Sequence, residues 1–122
     1  MILHPSACIA ESVILQKDTL LKSNVLINSG TTIGRNVTIN SGAVIEFDCV
    51  IKDFVFIDAS VVIANNVVVE EGVTIGINCT IIEGIHIGKG ATIKIGSVVL
   101  QDVPDYAIIE GNPGIVVGNK IT

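Results

Sequence analysis

The sequence predicts an all-β chain wound as a parallel β-helix, and three columns of a single sixfold repeat carry that prediction. Counting in sixes from Leu3 to Val99, all seventeen positions are Ile, Leu or Val. A period this strict is read before any local window, because repeat architectures are missed when segments are judged singly. Two residues before each aliphatic runs a second column of small or β-branched residues, from Ala7 and Val13 through Cys49 and Val55 to Ala91 and Ser97. A spacing of two places both columns on the same side of a strand, facing a core. Three residues after each aliphatic, from Asp18 to Gly96, the residue is mostly Gly, Asn or Asp. These types tolerate positive φ, so every sixth residue is expected to turn a left-handed corner. Each unit is a short strand followed by a corner.

Taken in order, residues 1–8 open the first coil, with Pro5 tolerated at a sheet edge. Residues 9–100 follow coil upon coil, with no insertion to break the phase. After Val99 the sixfold pattern fails: Gln101-Asp102-Val103-Pro104-Asp105 reads as a turn-rich exit. Tyr106 to Val117 reads as a short extended segment around a Gly111-Asn112-Pro113-Gly114 turn. The expected organisation is one domain, with the β-helix over 1–100 and a C-terminal tail over 101–122. The tail is expected to cover the last coil, since an open β-helix end is an exposed sheet edge.

Outward positions six residues apart sort into three faces. One carries Ile14, Thr32, Val50, Val68 and His86, and another Leu20, Thr38, Phe56, Thr74 and Thr92. The face of Cys8, Leu26, Val44, Val62, Thr80 and Val98 is almost wholly apolar. A solvated strand face is not, so subunit contact is expected there.

Composition narrows the function classes. Seven basic against twelve acidic residues, net charge −5, argue against nucleic acid as a main partner. Aromatic content is 3% with no Trp, as a narrow core of stacked aliphatics requires. The three cysteines form no disulfide framework; Cys49 and Cys79 fall in the inward small-residue column, the pattern of a reducing compartment. The start, with His4, Pro5 and Ser6, lacks a signal-peptide pattern, and no continuous apolar span is long enough for a membrane, so a cytoplasmic location is expected.

On Glu46-Phe47-Asp48-Cys49-Val50-Ile51, Asp53-Phe54-Val55, Gly76-Ile77-Asn78, Asp102-Val103-Pro104-Asp105 and Gly111-Asn112-Pro113, the chain resembles the hexapeptide-repeat acyltransferases. Within them it is most similar to bacterial sugar O- and N-acetyltransferases related to sialic-acid O-acetyltransferase. The resemblance implies a left-handed parallel β-helix of about five triangular coils, three hexads to a coil, an exception to right-handed crossovers. It also implies a homotrimer of parallel prisms, with acetyl-CoA in the groove between neighbours and a sugar or nucleotide-sugar amine or hydroxyl as acceptor. Relatives carry a small α/β sugar-binding domain ahead of the β-helix, whereas this sequence opens at Met1-Ile2-Leu3.

In the resembling enzymes a histidine beside an acidic residue is the general base, a task suited to an imidazole that titrates near neutral pH. Here that position is Phe47, between Glu46 and Asp48, and a phenyl ring accepts no proton. The resemblance leaves Glu46 and Asp48 as the catalytic candidates, with Glu46 a base for an amine already nucleophilic. It assigns Phe56, Asn65, Gly76, Ile77 and Ile95 to cofactor binding. Phe56 takes the place of a second histidine, and Asn65 and Ile95 replace glycines. His86 and His4 read as solvated surface residues, and no metal-ligand cluster or phosphate-cradling loop is evident. Three classes follow: an acetyl-CoA-dependent acetyltransferase weakened at Phe47, a catalytically silent trimeric scaffold or binding module, and a surface-binding ladder. The last fails because Leu20 and Phe56 interrupt the column of Thr74 and Thr92.

Overall fold

The computed structural model describes residues 1–120; residues 121–122, the end of the expected 101–122 tail, lie outside the described residues. Seventeen two-residue strands run from β1 (Ile2–Leu3) to β17 (Val98–Val99), one in each hexad. No helix forms among the described residues, and none is therefore long and apolar enough to cross a membrane. Every third strand pairs in parallel, so that Thr38, Phe56 and Thr74 stand side by side, as do Val44, Val62 and Thr80. Val50, Val68 and His86 form the third such row. The result is a left-handed β-helix of three parallel sheets, referred to below as the Phe56, Val62 and His86 faces.

The core is the predicted pair of columns. From Leu21 to Val99 each sixth aliphatic is at most 2% exposed, and the preceding small-residue column is buried with it. Identical side chains stack coil on coil, as in Ile39, Ile57 and Ile75. Leu3, Ile9 and Leu15 are less covered, Leu3 being 39% exposed, because among the described residues their coil has a neighbour on one side only.

Corners also fall where expected. All fourteen positions from Asp18 to Gly96 have φ between 54° and 80°. Each corner from Asn36 onward donates its backbone N–H to a carbonyl of the coil before, as Phe54 does to Arg35 at 2.9 Å and Gly96 to Ile77 at 2.8 Å. This second ladder locks the corners in register. Phe54, at φ 60° and 54% exposed, holds a bulky residue where its neighbours use Asn or Gly.

Beyond Val99 the sixfold pattern stops, but the winding does not. Val103 bridges Ile87 in parallel, and β18 (Ala107–Glu110) pairs in parallel with β16 (Thr92–Ile93), Ile109 lying beside Ile93. This last turn is two residues shorter than the others. Across it, the Asp102 and Asp105 carboxylates accept the N–H groups of His86 and Lys89 at 2.8 and 3.0 Å. Then β19 (Ile115–Asn119) folds back antiparallel on β18, while Gly111 and Gly114 bond to the backbone of Val98.

Candidate active site

Glu46, Phe47 and Asp48 form the corner between β8 (Val44–Ile45) on the Val62 face and β9 (Val50–Ile51) on the His86 face. Stacking fixes each of them. The Glu46 carboxylate accepts from Asn28 Nδ2 at 2.6 Å, and its carbonyl accepts from the Thr31 hydroxyl at 2.8 Å. That hydroxyl in turn accepts the Cys49 N–H at 3.1 Å, which closes the inner side of the corner. Asp48 lies over Gly30, where a Cβ would overlap its carboxylate, so both acids lean toward the preceding coil. Phe47 points no polar atom outward and is 45% exposed. Its N–H donates to Asn65 Oδ1 of the following coil at 3.1 Å. Behind it the Cys49 thiol is buried against the Ala64 carbonyl, and burial pushes its pKa up.

Gly76 and Ile77 sit at a different corner, between β13 (Thr74–Ile75) on the Phe56 face and β14 (Thr80–Ile81) on the Val62 face. Ile95 takes the same place one coil on. The backbone of that coil approaches so closely that a Cβ on Gly76 would lie 2.8 Å from the Ile95 nitrogen. Ile77 and Ile95 are 41% and 71% exposed. Phe56 lies on the face that leads into this corner, between Thr38 and Thr74. The predicted residues therefore gather in two groups. Glu46, Phe47, Asp48 and Asn65 line one edge of the Val62 face, and Gly76, Ile77 and Ile95 line the other. Within one chain the two groups do not meet.

Solved acetyltransferase structures share this architecture. The chain matches the acetyltransferase domain of PglB from Neisseria gonorrhoeae, in complex with acetyl coenzyme A, at TM-score 0.93 and 25% identity over 94% of its length. In fold it resembles the hexapeptide-repeat acyltransferases. A perosamine N-acetyltransferase variant from Caulobacter crescentus, in complex with CoA and GDP-perosamine, matches at TM-score 0.68 and 26% identity over 96% of the chain. A serine acetyltransferase in complex with cysteine matches at TM-score 0.75 and 31% identity over 80% of it. The chain spans 56% of the length of the first two and 42% of the third, about half of each. No family model matches the sequence, and no curated protein matches it.

For a chain with this acyltransferase fold, the histidines stand apart from Phe47. His4 Nδ1 accepts the Ser6 N–H at 3.0 Å and closes a local turn at the first coil. His86 is exposed, as expected, but not merely solvated: its Nε2 meets Glu70 at 2.7 Å, and Lys52 holds the other Glu70 oxygen at 2.9 Å. These bonds, from Lys52 first and then His86, hold Glu70 below the usual carboxylate range. Arg35 and Asp53 pair beside them at 2.8 Å, and the backbone N–H and guanidinium of Arg35 lower Asp53 likewise. Sequence reasoning missed this network, although Lys52 and Glu70 are one coil apart and therefore stack. The groove it borders, lined by Thr32, Gly34, Val50 and Lys89, has its charges already paired with one another. Among the described residues no three His, Cys, Asp or Glu side chains gather as metal ligands.

Proposed function

We propose that this chain is the acyl-transfer module of an acetyl-CoA-dependent acetyltransferase, acting as a homotrimer on an amine or hydroxyl of a sugar or nucleotide-sugar. The likeness over 94% of the chain to an acetyltransferase domain bound to acetyl coenzyme A is the observation that carries this reading. The perosamine N-acetyltransferase, whose structure holds GDP-perosamine, supports a sugar-nucleotide acceptor. The trimer is supported by the placement of the two half-sites on opposite edges of the apolar Val62 face. Exposed Phe47, Val62, Ile77, Ile82, Ile95 and Leu100 all lie on that face or its two corners. Cyclic closure around the Val62 face sets the Phe47 corner of one copy against the Ile77–Ile95 corner of the next, with acetyl-CoA between them. Free Cys8, Cys49 and Cys79 suit a reducing, cytoplasmic setting.

In the reaction the acceptor nitrogen attacks the thioester carbonyl carbon, forming a C–N bond while the carbonyl pair moves onto oxygen. Collapse restores C=O, breaks the C–S bond, and the sulfur leaves with the proton lost by nitrogen as coenzyme A thiol. A histidine at position 47 would take that proton; Phe47 does not. Base assistance is worth ~10²–10⁴-fold, so turnover should depend on an amine that is already deprotonated. Transfer to amino sugars should rise with pH toward the amine pKa, and transfer to hydroxyls should stay near background. The alternative, a silent trimeric scaffold, is favoured by the lack of any imidazole at the Phe47 corner. Thiol release from acetyl-CoA over a small sugar panel, for wild type and Phe47→His, separates the two. The acetyltransferase reading predicts a faster Phe47→His; no release by either protein favours the scaffold.

A further inference from the structure

We infer that the carboxamide of Asn65 is a catalytic residue, with Nδ2–H donating to the acyl carbonyl oxygen as it becomes an oxyanion. The inference rests on the acetyltransferase reading. It starts from one hydrogen bond, the Phe47 N–H donating to Asn65 Oδ1 at 3.1 Å. Turning the amide over would set an NH₂ against an N–H, two donors in contact, so its orientation is fixed. The NH₂ group is thereby directed away from the backbone of the Phe47 corner. Among the described residues neither Nδ2 nor the backbone N–H of Asn65 has a partner.

Comparable positions on the helix show what the structural task alone requires. The N–H of Arg35 goes to Asp53 Oδ1 at 2.8 Å, and that of Lys89 to Asp105 Oδ1 at 3.0 Å. A carboxylate is sufficient to cap a corner N–H in those places. Above Phe47 the same cap is an amide, which carries a donor the cap does not use. The acids nearby do not consume it either, since Glu46 is held by Asn28 and Asp48 lies over Gly30, both toward the coil on the other side of Phe47. A pre-oriented amide donor bonds a neutral carbonyl oxygen weakly and the developing oxyanion strongly, and one such donor is worth ~10²–10³-fold in kcat. That is the same order as the base assistance missing at Phe47.

Asn65→Asp tests this, because it keeps an acceptor for the Phe47 N–H and removes the donor; Asn65→Leu removes both without adding charge. Two readouts are taken on the full chain. The first is thiol release from acetyl-CoA with an amino sugar near its amine pKa. The second is calorimetric binding of acetyl-CoA against S-ethyl-coenzyme A, a thioether with no carbonyl. Both variants should lose about 10²–10³-fold in kcat, and should bind the two ligands alike where wild type prefers acetyl-CoA. The melting temperature of Asn65→Asp should match wild type. If Asn65→Asp keeps the rate and the acetyl-CoA preference, Asn65 is only a corner cap, and the acetyltransferase reading stands without it. If wild type binds acetyl-CoA but turns over too slowly to follow, the ligand preference and its loss in the two variants decide. If wild type binds neither ligand, the acetyltransferase reading has failed and the role of Asn65 falls with it.

Discussion

Ile57→Asp puts the inward assignment at greatest risk. Ile57 is 0% exposed and lies between Ile39 and Ile75 in the same stack. Losing its buried side chain forfeits about 1.5–3 kcal/mol. Keeping the new carboxyl protonated at pH 7, when its ordinary pKa is about 3.9, costs about 4 kcal/mol. Its polar atoms find only aliphatic neighbours, a further ~1–3 kcal/mol. The sum, about 6–10 kcal/mol, is comparable with the whole stability of a typical domain, ~5–15 kcal/mol. The variant should therefore be unfolded or nearly so at neutral pH, while Ile57→Val loses only about 0.5–1.5 kcal/mol. Urea titrations followed by circular dichroism, at pH 7 and near pH 4, provide the assay. Near pH 4 protonation is almost free, so the gap between Ile57→Asp and wild type should shrink by about 4 kcal/mol. A soluble Ile57→Asp protein melting cooperatively within a few degrees of wild type at pH 7 would refute the inward column.

Three other outcomes are expected. Phe54→Asn should raise the melting temperature, because a bulky residue at φ 60° carries about 1–2 kcal/mol of left-handed strain that Asn largely avoids; a fall instead would mean that the exposed ring packs in the assembly. Stability should decline at both ends of the pH range. Glu70, Asp53 and Asp58, the last held by Asn40 Nδ2 donating to its carboxylate at 2.9 Å, titrate lower in the fold than in the unfolded chain, so their contribution is complete above about pH 5 and fades as pH falls below ~4. Burial raises the Cys49 and Cys79 thiols, so theirs is complete below ~pH 8 and fades above it; Glu70→Gln should flatten the acid limb, and an unchanged limb would remove Glu70 from the account. Val44→Lys with Val62→Lys should turn a trimeric mass into a monomeric one by light scattering and abolish acetyl-CoA binding, and an intact trimer would exclude the Val62 face as the contact.

Much of the fold was legible because each hexad decides its own conformation. The aliphatic and the small residue before it face inward wherever they occur, so phase alone located every strand and even the corners at Phe54 and Ser60, whose residue types do not announce positive φ. The shortened last turn was not legible. Val103 follows Val99 by four residues rather than six, and it takes the Ile87–Val103 bridge and the side-chain bonds of Asp102 and Asp105 to show that the coil closes over the gap. At the site, the pairs Asn28–Glu46 and Phe47–Asn65 are each eighteen residues apart, a spacing readable once three hexads make a coil. The His86–Glu70 contact, at sixteen, joins adjacent columns and has no such periodic signature. The direction of the Asn65 amide depends on a backbone N–H in another coil, which no sequence spacing reveals. The proposed trimer draws on the Phe47 and Ile77–Ile95 corners lying on opposite edges of the Val62 face, an arrangement that appears only when the three faces are laid out in space.

The most direct measurement is a calorimetric titration of acetyl-CoA into the full chain, with the mass checked by light scattering in the same buffer. The account predicts a trimer that binds one acetyl-CoA per chain with a dissociation constant below about 1 mM, a binding free energy beyond about −4 kcal/mol. A monomer, or a trimer that takes up no acetyl-CoA at millimolar concentration, would contradict it.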